Sequence, residues 1–393
     1  MIKSRENLGN ICNFQGGSQP PKKEFKYIPI EGYVRFLQIR DFSSDKNITY
    51  IPQSKKNRYC EVNDILIGRY GASVGKILRG LSGAYNVALM KVIPNEEQIF
   101  KPWLYYYLSS SLFQKPLQRV ANRSAQNGFN KDEIAQFKVD LPSLSEQKSI
   151  VNMLDAAFAE ISYLQNLVEK EILDAKSCHI QIEHNLISEL LKFSKKSKLG
   201  EIASFKNGMN FKKNESGKKY KIVGVGDFKS KFSIHNEELE SISLTGLIDN
   251  SYCLKGGDIL FVRSNGNKNL IGRSLLVEEL SETTTFSGFT IRCRLEKDDL
   301  LPKFVCRFLK SKAIRKQLID GGSGTSINNL NQKMLSALEI PIVDPKEQKN
   351  ILDKINLIES SFEKLVTTKQ HKLELLNSLK ETILTQEMQS GNS

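Results

Sequence analysis

An internal repeat constrains the fold of this chain more than any other feature of its sequence. Two long segments correspond at a spacing of 201 positions, which falls to 194 and then to 191 toward the start of each copy. The matched pairs are Glu146-Gln147-Lys148 with Glu347-Gln348-Lys349, Phe129-Asn130 with Leu330-Asn331, Tyr85-Asn86 with Phe286-Ser287, Asp64-Ile65-Leu66 with Asp258-Ile259-Leu260, and Leu8-Gly9-Asn10-Ile11 with Leu199-Gly200-Glu201-Ile202. Matches that keep their order while the spacing drifts indicate a tandem duplication with small insertions.

Each copy combines a globular part with a long helical tail. The globular parts, residues 1–142 and 197–341, contain short apolar runs such as DILIG and DILFV, which are typical of strands. Each also predicts a helix, from Pro102 to about Arg119 and from Pro302 to about Leu318, because proline suits a first helical turn. The tails, residues 143–196 and 342–393, predict two long helices. The fold class is therefore α+β, with two similar α/β domains alternating with two long helices.

The apolar positions of the two tails form one narrow stripe along each helix, as in a coiled coil. The stripes include Ile150, Leu154, Ile161, Leu164, Val168, Ile351, Ile355, Ile358, Phe362 and Leu365, and they continue through Ile182, Phe193 and Leu379. A helix of about 48 residues would be on the order of 70 Å long, which exceeds one compact domain of this size. We expect the helices to pair, antiparallel if a two-fold operation relates the copies. The alternative is that each helix packs on its own globular part.

Both helices have recognisable starts. Ser143-Leu144-Ser145-Glu146 is a capping box, in which the serine oxygen and the glutamate side chain each satisfy a free amide. Asp344-Pro345-Lys346-Glu347 offers a capping carboxylate, a proline at the first helical position and an acid near the positive helix end. Two such caps at matching places predict that the helices begin here.

Charge and cysteine usage limit the class of protein. The chain has 57 Lys and Arg against 44 Asp and Glu, a net charge of +13, which favours a polyanionic partner, although many basic proteins are soluble enzymes. No cysteines form a C-x-x-C pair, and the neighbours Cys178, His179 and His184 are too few for a metal site, so we expect reduced thiols and no metal. The first ten residues lack the apolar core of a signal peptide, and no apolar run approaches the ~18 residues of a membrane span. We expect a cytoplasmic location.

The stretch IGRYGASVGK, residues 67–76, is similar to a phosphate-binding loop but lacks its essential groups. Such a loop needs G-x-x-x-x-G-K-[ST], whose hydroxyl holds Mg²⁺. Here Tyr70 stands where the first glycine belongs, and Ile77 follows Lys76. The corresponding stretch of the second copy has another spacing and ends in Gly272-Arg273. We interpret the glycines as a tight turn between strands that carries basic residues.

Basic and amide side chains near these turns are the candidates for DNA contacts, because arginine and glutamine read base edges and lysine binds phosphates. At the turns they are Arg69, Lys76, Arg79, Arg263, Lys268 and Arg273. The stretch VRFLQIRDF and its match, residues 221–228, add Arg35, Gln38, Arg40 and Lys221. Polar turns upstream of the matched asparagines add Ser124, Gln126, Asn127, Thr325, Ile327 and Asn328. The alternative for each is a solvated turn residue.

Catalytic groups are scarce. The four histidines form no nucleophile–base set, and Glu24-Phe25-Lys26 lacks the upstream acid of a metal-dependent nuclease. Neither a glycine-rich cofactor loop nor the Asn/Asp-Pro-Pro-aromatic tetrapeptide of an amino methyltransferase is present. These observations favour a chain that reads DNA without catalysing a reaction.

The order of these features, given twice, resembles the specificity subunits of type I restriction-modification enzymes. The residues that carry the resemblance are the helix entries Pro142-Ser-Leu-Ser-Glu-Gln147 and Pro341 to Gln348, and the D-I-L runs that precede the glycine turns. The resemblance covers nearly the whole chain. It implies that each globular part is a target recognition domain that reads one half of a bipartite, asymmetric DNA target, and that the paired helices set the distance between the half-sites.

The resemblance also implies partners. Two modification subunits, which bind S-adenosylmethionine and methylate adenine, would dock on the helices, and restriction subunits, which use ATP and Mg²⁺, would join them. The chain itself would hold no cofactor. Two alternatives remain at this stage: a stand-alone DNA-binding protein with tandem recognition domains, and an enzyme that uses the glycine loop.

Overall fold

The structure is a computed structural model, and it describes residues 4–123, 128–211, 217–229, 231–320 and 329–390. The chain forms two compact units, the first made of Met1–Lys170 with Lys369–Ser393 and the second of Glu171–Thr368. Each unit contains one globular lobe and parts of both long helices. We call residues 4–142 the first lobe and residues 195–343 the second lobe. No helix among the described residues is both long and apolar enough to cross a membrane.

The first lobe is a mixed α/β structure that leads into a long helix. Its strands are β1 (Ser4–Asn7), β2 (Cys12–Gly16), β3 (Tyr33–Leu37), β4 (Tyr50–Pro52), β5 (Tyr59–Cys60), β6 (Ile65–Gly68), β7 (Ile77–Leu78), β8 (Gly83–Tyr85), β9 (Leu89–Pro94) and β10 (Lys138–Leu141). Its helices are α1 (Leu8–Ile11), α2 (Lys101–Ser109), α3 (Ser111–Ala121) and α4 (Lys131–Ala135), and the long helix is α5 (Leu144–Phe193). The strands form sheets in the orders β1-β10, β2-β9-β6-β7 and β4-β3-β8-β5.

The second lobe has the same plan. Its strands are β11 (Lys195–Lys198), β12 (Ala203–Asn207), β13 (Lys218–Val223), β14 (Ser233–Ile234), β15 (Glu240–Leu244), β16 (Ile259–Val262), β17 (Ser274–Val277), β18 (Thr284–Phe286), β19 (Thr290–Leu295) and β20 (Glu339–Ile342). Its helices are α6 (Pro302–Leu309), α7 (Lys312–Asp320) and α8 (Gln332–Ser336), followed by the long helix α9 (Pro345–Ser390). The sheet order β12-β19-β16-β17 repeats that of the first lobe, with β14 added at one edge. The repeat in the sequence is therefore a repeat in the fold.

Strand β6 lies at the centre of the first lobe, between two hydrophobic clusters. Ile65 and Ile67 face the larger cluster, which includes Trp103, whereas Leu66 faces a second cluster with Tyr85. Strands that are buried on both faces have continuous apolar sequences, which explains the run ILI. In β16 the same alternation sends Ile259 and Phe261 to one cluster and Leu260 and Val262 to another.

The single helix predicted after each central sheet is broken in two. Ser110 adopts an extended conformation, and both its N–H and its hydroxyl donate to the Tyr107 carbonyl, at 3.1 and 2.7 Å, which ends α2. At the matching place the Ser311 N–H donates to the Phe308 carbonyl at 2.9 Å, and α7 begins one residue later. Serine competes in this way for backbone groups, and the apolar periodicity does not reveal it.

The long helices begin where the caps predicted. The Ser143 N–H donates to Glu146 at 2.8 Å, and the Glu146 N–H donates to the Ser143 hydroxyl at 3.4 Å. Asp344 accepts from the Glu347 N–H at 3.1 Å, and α9 starts at Pro345. The first long helix ends at Phe193 rather than at residue 196, because residues 195–198 form strand β11, which pairs with β20.

The helices pack against each other in antiparallel directions within each unit. In the first unit Gln165 donates to Asn377 at 2.8 Å, the ammonium of Lys380 lies 4.8 Å from the Phe158 ring centre, and Met388 shares a core with Leu154. In the second unit the His179 ring stacks on Phe362 at 4.8 Å. Ile150 and Ile355 also belong to the cores of the first and second lobes respectively, so the beginning of each helix packs on its own lobe as well.

Several positions of the predicted apolar stripe lie at the surface. Ile150, Leu154, Ile161, Val168, Ile351 and Ile355 are buried, and Leu164, Ile358 and Phe362 are half-buried. Leu365, Ile182, Phe193 and Leu379 are exposed, so they are not buried between the helices as the stripe predicted. In the second unit the inward positions are instead taken by His179 and Glu183, because a polar layer interrupts the apolar stripe there.

Candidate nucleic-acid interface

The glycine stretch is a hairpin turn in both lobes. Strands β6 and β7 are antiparallel, as are β16 and β17. The Gly75 N–H donates to the Gly68 carbonyl at 2.9 Å, and the Gly272 N–H donates to the Val262 carbonyl at 2.9 Å. Gly75 and Gly272 have φ of 80° and 79°, a conformation that favours glycine. The interpretation as a turn between strands is confirmed.

The first basic residue after the central strand is fixed by its backbone in both lobes. The Arg69 N–H donates to the Ala88 carbonyl at 2.9 Å, and the Arg263 N–H donates to the Phe289 carbonyl at 2.8 Å. The Arg69 guanidinium lies 4.9 Å from the Tyr70 ring centre. The half-buried Arg263 side chain has no hydrogen bond or ion pair with any residue that the structure describes. The two lobes thus present an arginine from equivalent, rigid positions.

The other turn candidates differ in their surroundings. Lys76 and Arg273 follow the second glycine of each turn and are exposed, and Arg273 donates to the Lys229 carbonyl at 2.6 Å. Arg79 is exposed and stacks over the Tyr105 ring at 3.8 Å. The Lys268 side chain lies outside the described part of the structure, as do residues 124–127 and 325–328.

The second group of candidates lies on β3, β13 and the short 3-10 turns that follow them. Asp41 accepts from the Gln38 N–H at 2.6 Å, and Asp227 accepts from the Gly224 N–H at 2.8 Å, which confirms the predicted match between these stretches. Burial raises the pKa of both carboxyls, and these hydrogen bonds partly offset that effect. The match places Arg35 and Lys221 at equivalent positions of β3 and β13.

These equivalent cations already have partners. Arg35 pairs with Asp45 at 2.6 Å, and Lys221 donates to the Leu239 carbonyl at 3.3 Å and lies 3.8 Å from Glu282. Gln38 makes a long hydrogen bond of 3.4 Å to Thr49, and the exposed Arg40 lies 3.9 Å from Asp41, at the outer limit of an ion pair. Arg40 and Gln38 therefore have more freedom to reach a ligand than Arg35 and Lys221.

Two structural glycines escaped the sequence analysis. A Cβ atom at Gly17 would lie 2.1 Å from the Asn86 carbonyl oxygen, and one at Gly208 would lie 2.1 Å from that of Ser287. Here the segments directly after β2 and β12 run close to the loops before β9 and β19, with isolated bridges from Ser18 to Asn86 and from Met209 to Ser287. The sequence could have indicated them, because Gly17 and Gly208 correspond to each other in the repeat at the spacing of 191.

Five of the six cations of a group in the second lobe were also missed, and only Arg273 was among the candidates. Lys310, Lys312 and Arg315 line a cleft together with Lys229, Lys231 and Arg273. No motif marks these cations, but a comparison of the two copies does. The positions of Lys310, Lys312 and Arg315 correspond to Ser109, Ser111 and Gln114 in the first copy.

The polar layer of the second unit contains three groups of the kind that bind metal ions: one donor atom each from His179, Glu183 and Glu359 lie within 4.8 Å of one another. However, Arg307 donates to both carboxylate oxygens of Glu359, at 2.6 Å each, and lies 3.6 Å from Glu183. The guanidinium already supplies the positive charge that a metal would bring. This arrangement favours an ion-pair cluster at the helix interface.

The fold and the interface define a tandem-repeat protein in which two α/β lobes, each with a basic hairpin, alternate with two long helices. A family model described as "Type I restriction modification DNA specificity domain" matches residues 5–172 and 193–375. The chain belongs to this family, and it is a DNA sequence-specificity subunit of a type I restriction-modification system.

Individual relatives agree with this assignment. The type I restriction enzyme StySPI specificity subunit of Salmonella potsdam is 22% identical over 386 residues, covering 91% of this chain and 81% of the relative. A chain from a structural study of complex assembly and conformational transition in a type I R-M system has a TM-score of 0.65 at 14% identity, covering 98% and 97% of the two chains. The HsdS subunit from Thermoanaerobacter tengcongensis has a TM-score of 0.55 at 15% identity, covering 99% and 97%.

Proposed function

We propose that each lobe reads one half of a two-part, asymmetric DNA sequence and that the paired helices fix the spacing between the halves. The observation that carries this proposal is that the two lobes share a backbone arrangement but differ in the side chains of their hairpin turns. The backbone bonds of Arg69 and Arg263 are the same, whereas the turns that follow them, RYGASVGK and RSNGNKNLIGR, differ in length and composition. Side chains that differ on a shared scaffold support two different half-sites.

The exposed apolar residues of the long helices support docking of modification subunits. Met153, Tyr163, Leu167, Leu173, Ile180, Leu357, Leu365, Leu375 and Leu379 are all exposed by more than a third. Exposed apolar side chains mark a protein–protein interface where they form a contiguous patch, and this proposal requires that these residues do so. In this proposal the buried positions, such as Leu154 and Ile355, hold the helices together, and the exposed ones contact the partners.

The chemistry would belong to the partners. Two modification subunits would bind S-adenosylmethionine and methylate adenine, and restriction subunits would use ATP and Mg²⁺. The specificity subunit would bind the DNA and hold the target adenine in the orientation that the reaction needs. A cytoplasmic location fits this role and stays a prediction.

The experiment is a lobe exchange. The chain is produced with its modification subunits, and methylated adenines are mapped by sequencing. Residues 1–142 are then replaced by the corresponding part of another specificity subunit with a known target. We expect one half of the methylated sequence to change while the other half and the spacing are kept. An unchanged methylated sequence would count against this proposal. Tight, sequence-specific binding that needs no partner would favour a stand-alone DNA-binding protein.

A further inference from the structure

The second lobe contains a strongly basic cleft, whereas the cleft at the matching helix junction of the first lobe is lined by Ser109, Ser111 and Gln114 and also by the acidic Glu381. The basic cleft lies where the turn between β16 and β17 meets the junction of α6 and α7, and it has a volume of about 370 Å³. Its lining includes six basic side chains, Lys229, Lys231, Arg273, Lys310, Lys312 and Arg315, and no acidic one. Of these, Lys231 is neutralised by Glu238 at 2.6 Å, outside the cleft. The other five have no ion pair with any residue that the structure describes.

Three of these cations are held in place by the backbone of the lobe. Lys310 donates to the carbonyls of Lys231 and Ser274 at 3.0 and 2.7 Å. Arg273 donates to the Lys229 carbonyl at 2.6 Å, and Arg315 donates to the Ile271 carbonyl. The charges are therefore fixed close together, although like charges repel each other.

The electrostatic cost of this arrangement is visible in the side chains. Burial lowers the pKa of Lys310, and the nearby Arg307 and Arg273 lower it further. Burial and Arg273 likewise lower the pKa of Arg315. Both shifts mean that the cleft disfavours its own positive charges when it is empty. An anion between them would remove this penalty.

The first lobe shows that the fold does not need these charges. At the positions of Lys310, Lys312 and Arg315 it has Ser109, Ser111 and Gln114. Gln114 donates to the Gly75 carbonyl at 2.9 Å, so an uncharged side chain makes the same kind of bond to the turn that Arg315 makes. After the matching 3-10 turn, Ser43 and Asp45 stand where the second lobe has Lys229 and Lys231. The cations are thus specific to the second copy, while the scaffold is common to both.

We propose that this cleft binds a phosphate of the DNA backbone and anchors the second half-site more strongly than the first. The proposal rests on the proposed function, and it adds a contact that positions the duplex without reading its sequence. A phosphodiester matches the cleft because it is a compact anion that accepts hydrogen bonds from several directions. The adjacent β16–β17 turn, which carries Arg263, would then be held against the base edges of the same half-site.

The test uses the full chain in complex with its modification subunits. The variants carry the side chains of the first lobe, Lys312→Ser alone and Lys312→Ser with Arg315→Gln. Lys316→Gln is the control, because Lys316 is exposed on the same helix but does not line the cleft. Affinity for a duplex with the methylated target is measured between about 50 and 200 mM salt, where each lost phosphate contact lowers the slope of log K against log salt by about 0.9.

We expect the double variant to lose roughly threefold to tenfold in affinity at the higher salt, with a shallower slope. The methylated sequence should stay the same, and the thermal midpoint of unfolding should not fall. The Lys312 side chain is exposed. Lys312→Ser alone should therefore show only part of the loss in affinity. A double variant with the slope of Lys316→Gln, or one that methylates a different sequence, would overturn the phosphate site. If the unaltered complex methylates no two-part sequence, it is the proposed function that fails.

Discussion

Gln147 and Gln348 make the same three hydrogen bonds in the two copies. Gln147 accepts from the Phe100 N–H at 2.7 Å and donates to the carbonyls of Gln98 and Pro142, both at 2.9 Å. Gln348 accepts from the Leu301 N–H at 2.8 Å and donates to the carbonyls of Asp299 and Val343, at 2.8 and 2.7 Å. Both side chains are fully buried. The Glu-Gln motif therefore joins the start of each long helix to the loop before α2 or α6.

Replacing either glutamine should destabilise its unit. Gln348→Ala leaves the Leu301 N–H and two carbonyls without their partner, and each unsatisfied buried group costs about 1–3 kcal/mol. We expect a loss of about 3 kcal/mol in the free energy of unfolding, measured by urea denaturation. Gln386→Ala, at an exposed position of α9, is the control and should change stability by less than about 0.5 kcal/mol. Equal effects of the two variants would contradict this role.

Asp64 should make the first lobe sensitive to acid. Its carboxylate pairs with Lys101 at 2.7 Å and Lys91 at 2.9 Å and accepts from the Glu61 N–H at 2.9 Å. Burial alone would raise its pKa, but these hydrogen bonds outweigh burial and lower the pKa to about 2. Because the folded pKa lies below the unfolded value of about 3.9, the carboxylate stabilises the fold above pH 4. This contribution, about 2 kcal/mol, is lost as the pH falls toward 2.

The difference in unfolding free energy between the wild type and Asp64→Asn measures this effect. It should be constant above about pH 4 and should shrink between about pH 4 and 2. Glu61→Gln removes an exposed carboxylate three residues earlier and should show no such trend. A difference that grows on acidification would mean that the sign of the shift is wrong.

In the ion-pair cluster of the second unit, replacing Arg307 and Glu359 together should cost less stability than replacing either one alone. Arg307 and Glu359 correspond to Tyr106 and Phe158 of the first copy, whose rings pack edge to face at 5.6 Å. Arg307→Tyr alone leaves Glu183 and Glu359 side by side in a half-buried layer, and we expect a loss of about 3 kcal/mol.

Arg307→Tyr with Glu359→Phe recreates the pair of the first copy and should recover most of that loss. Urea denaturation of the two single variants and the double variant completes the cycle. If the loss of stability in the double variant equals the sum of the losses in the two single variants, the two positions do not interact.

The sequence predicted the repeat, the helix starts and the turns because each depends on local chemistry. Ser143 and Asp344 cap helices through neighbouring backbone groups, and Gly75 and Gly272 adopt positive φ within their own turns. The misassigned residues depend on tertiary contacts. The period of apolar residues placed Leu365 and Ile182 inside, whereas in the structure His179 stacks on Phe362 and Glu183 pairs with Arg307 of α6. The basic cleft joins cations from three separate segments, and no local pattern connects them.

Arg263 is the residue that we expect to read a base in the second half-site. Its backbone is fixed by Phe289, and its guanidinium has no hydrogen bond to any described residue, so its donors are available to a guanine edge. Arg263→Ala should cost about 1–3 kcal/mol in binding to the cognate duplex and should relax the preference at one base pair. Methylation sequencing of the complex identifies which position is relaxed. Arg69→Ala is the matched variant and should relax one position in the other half. If both variants lower methylation at all sites without changing the sequence, these arginines bind the backbone and the bases are read elsewhere on the lobes.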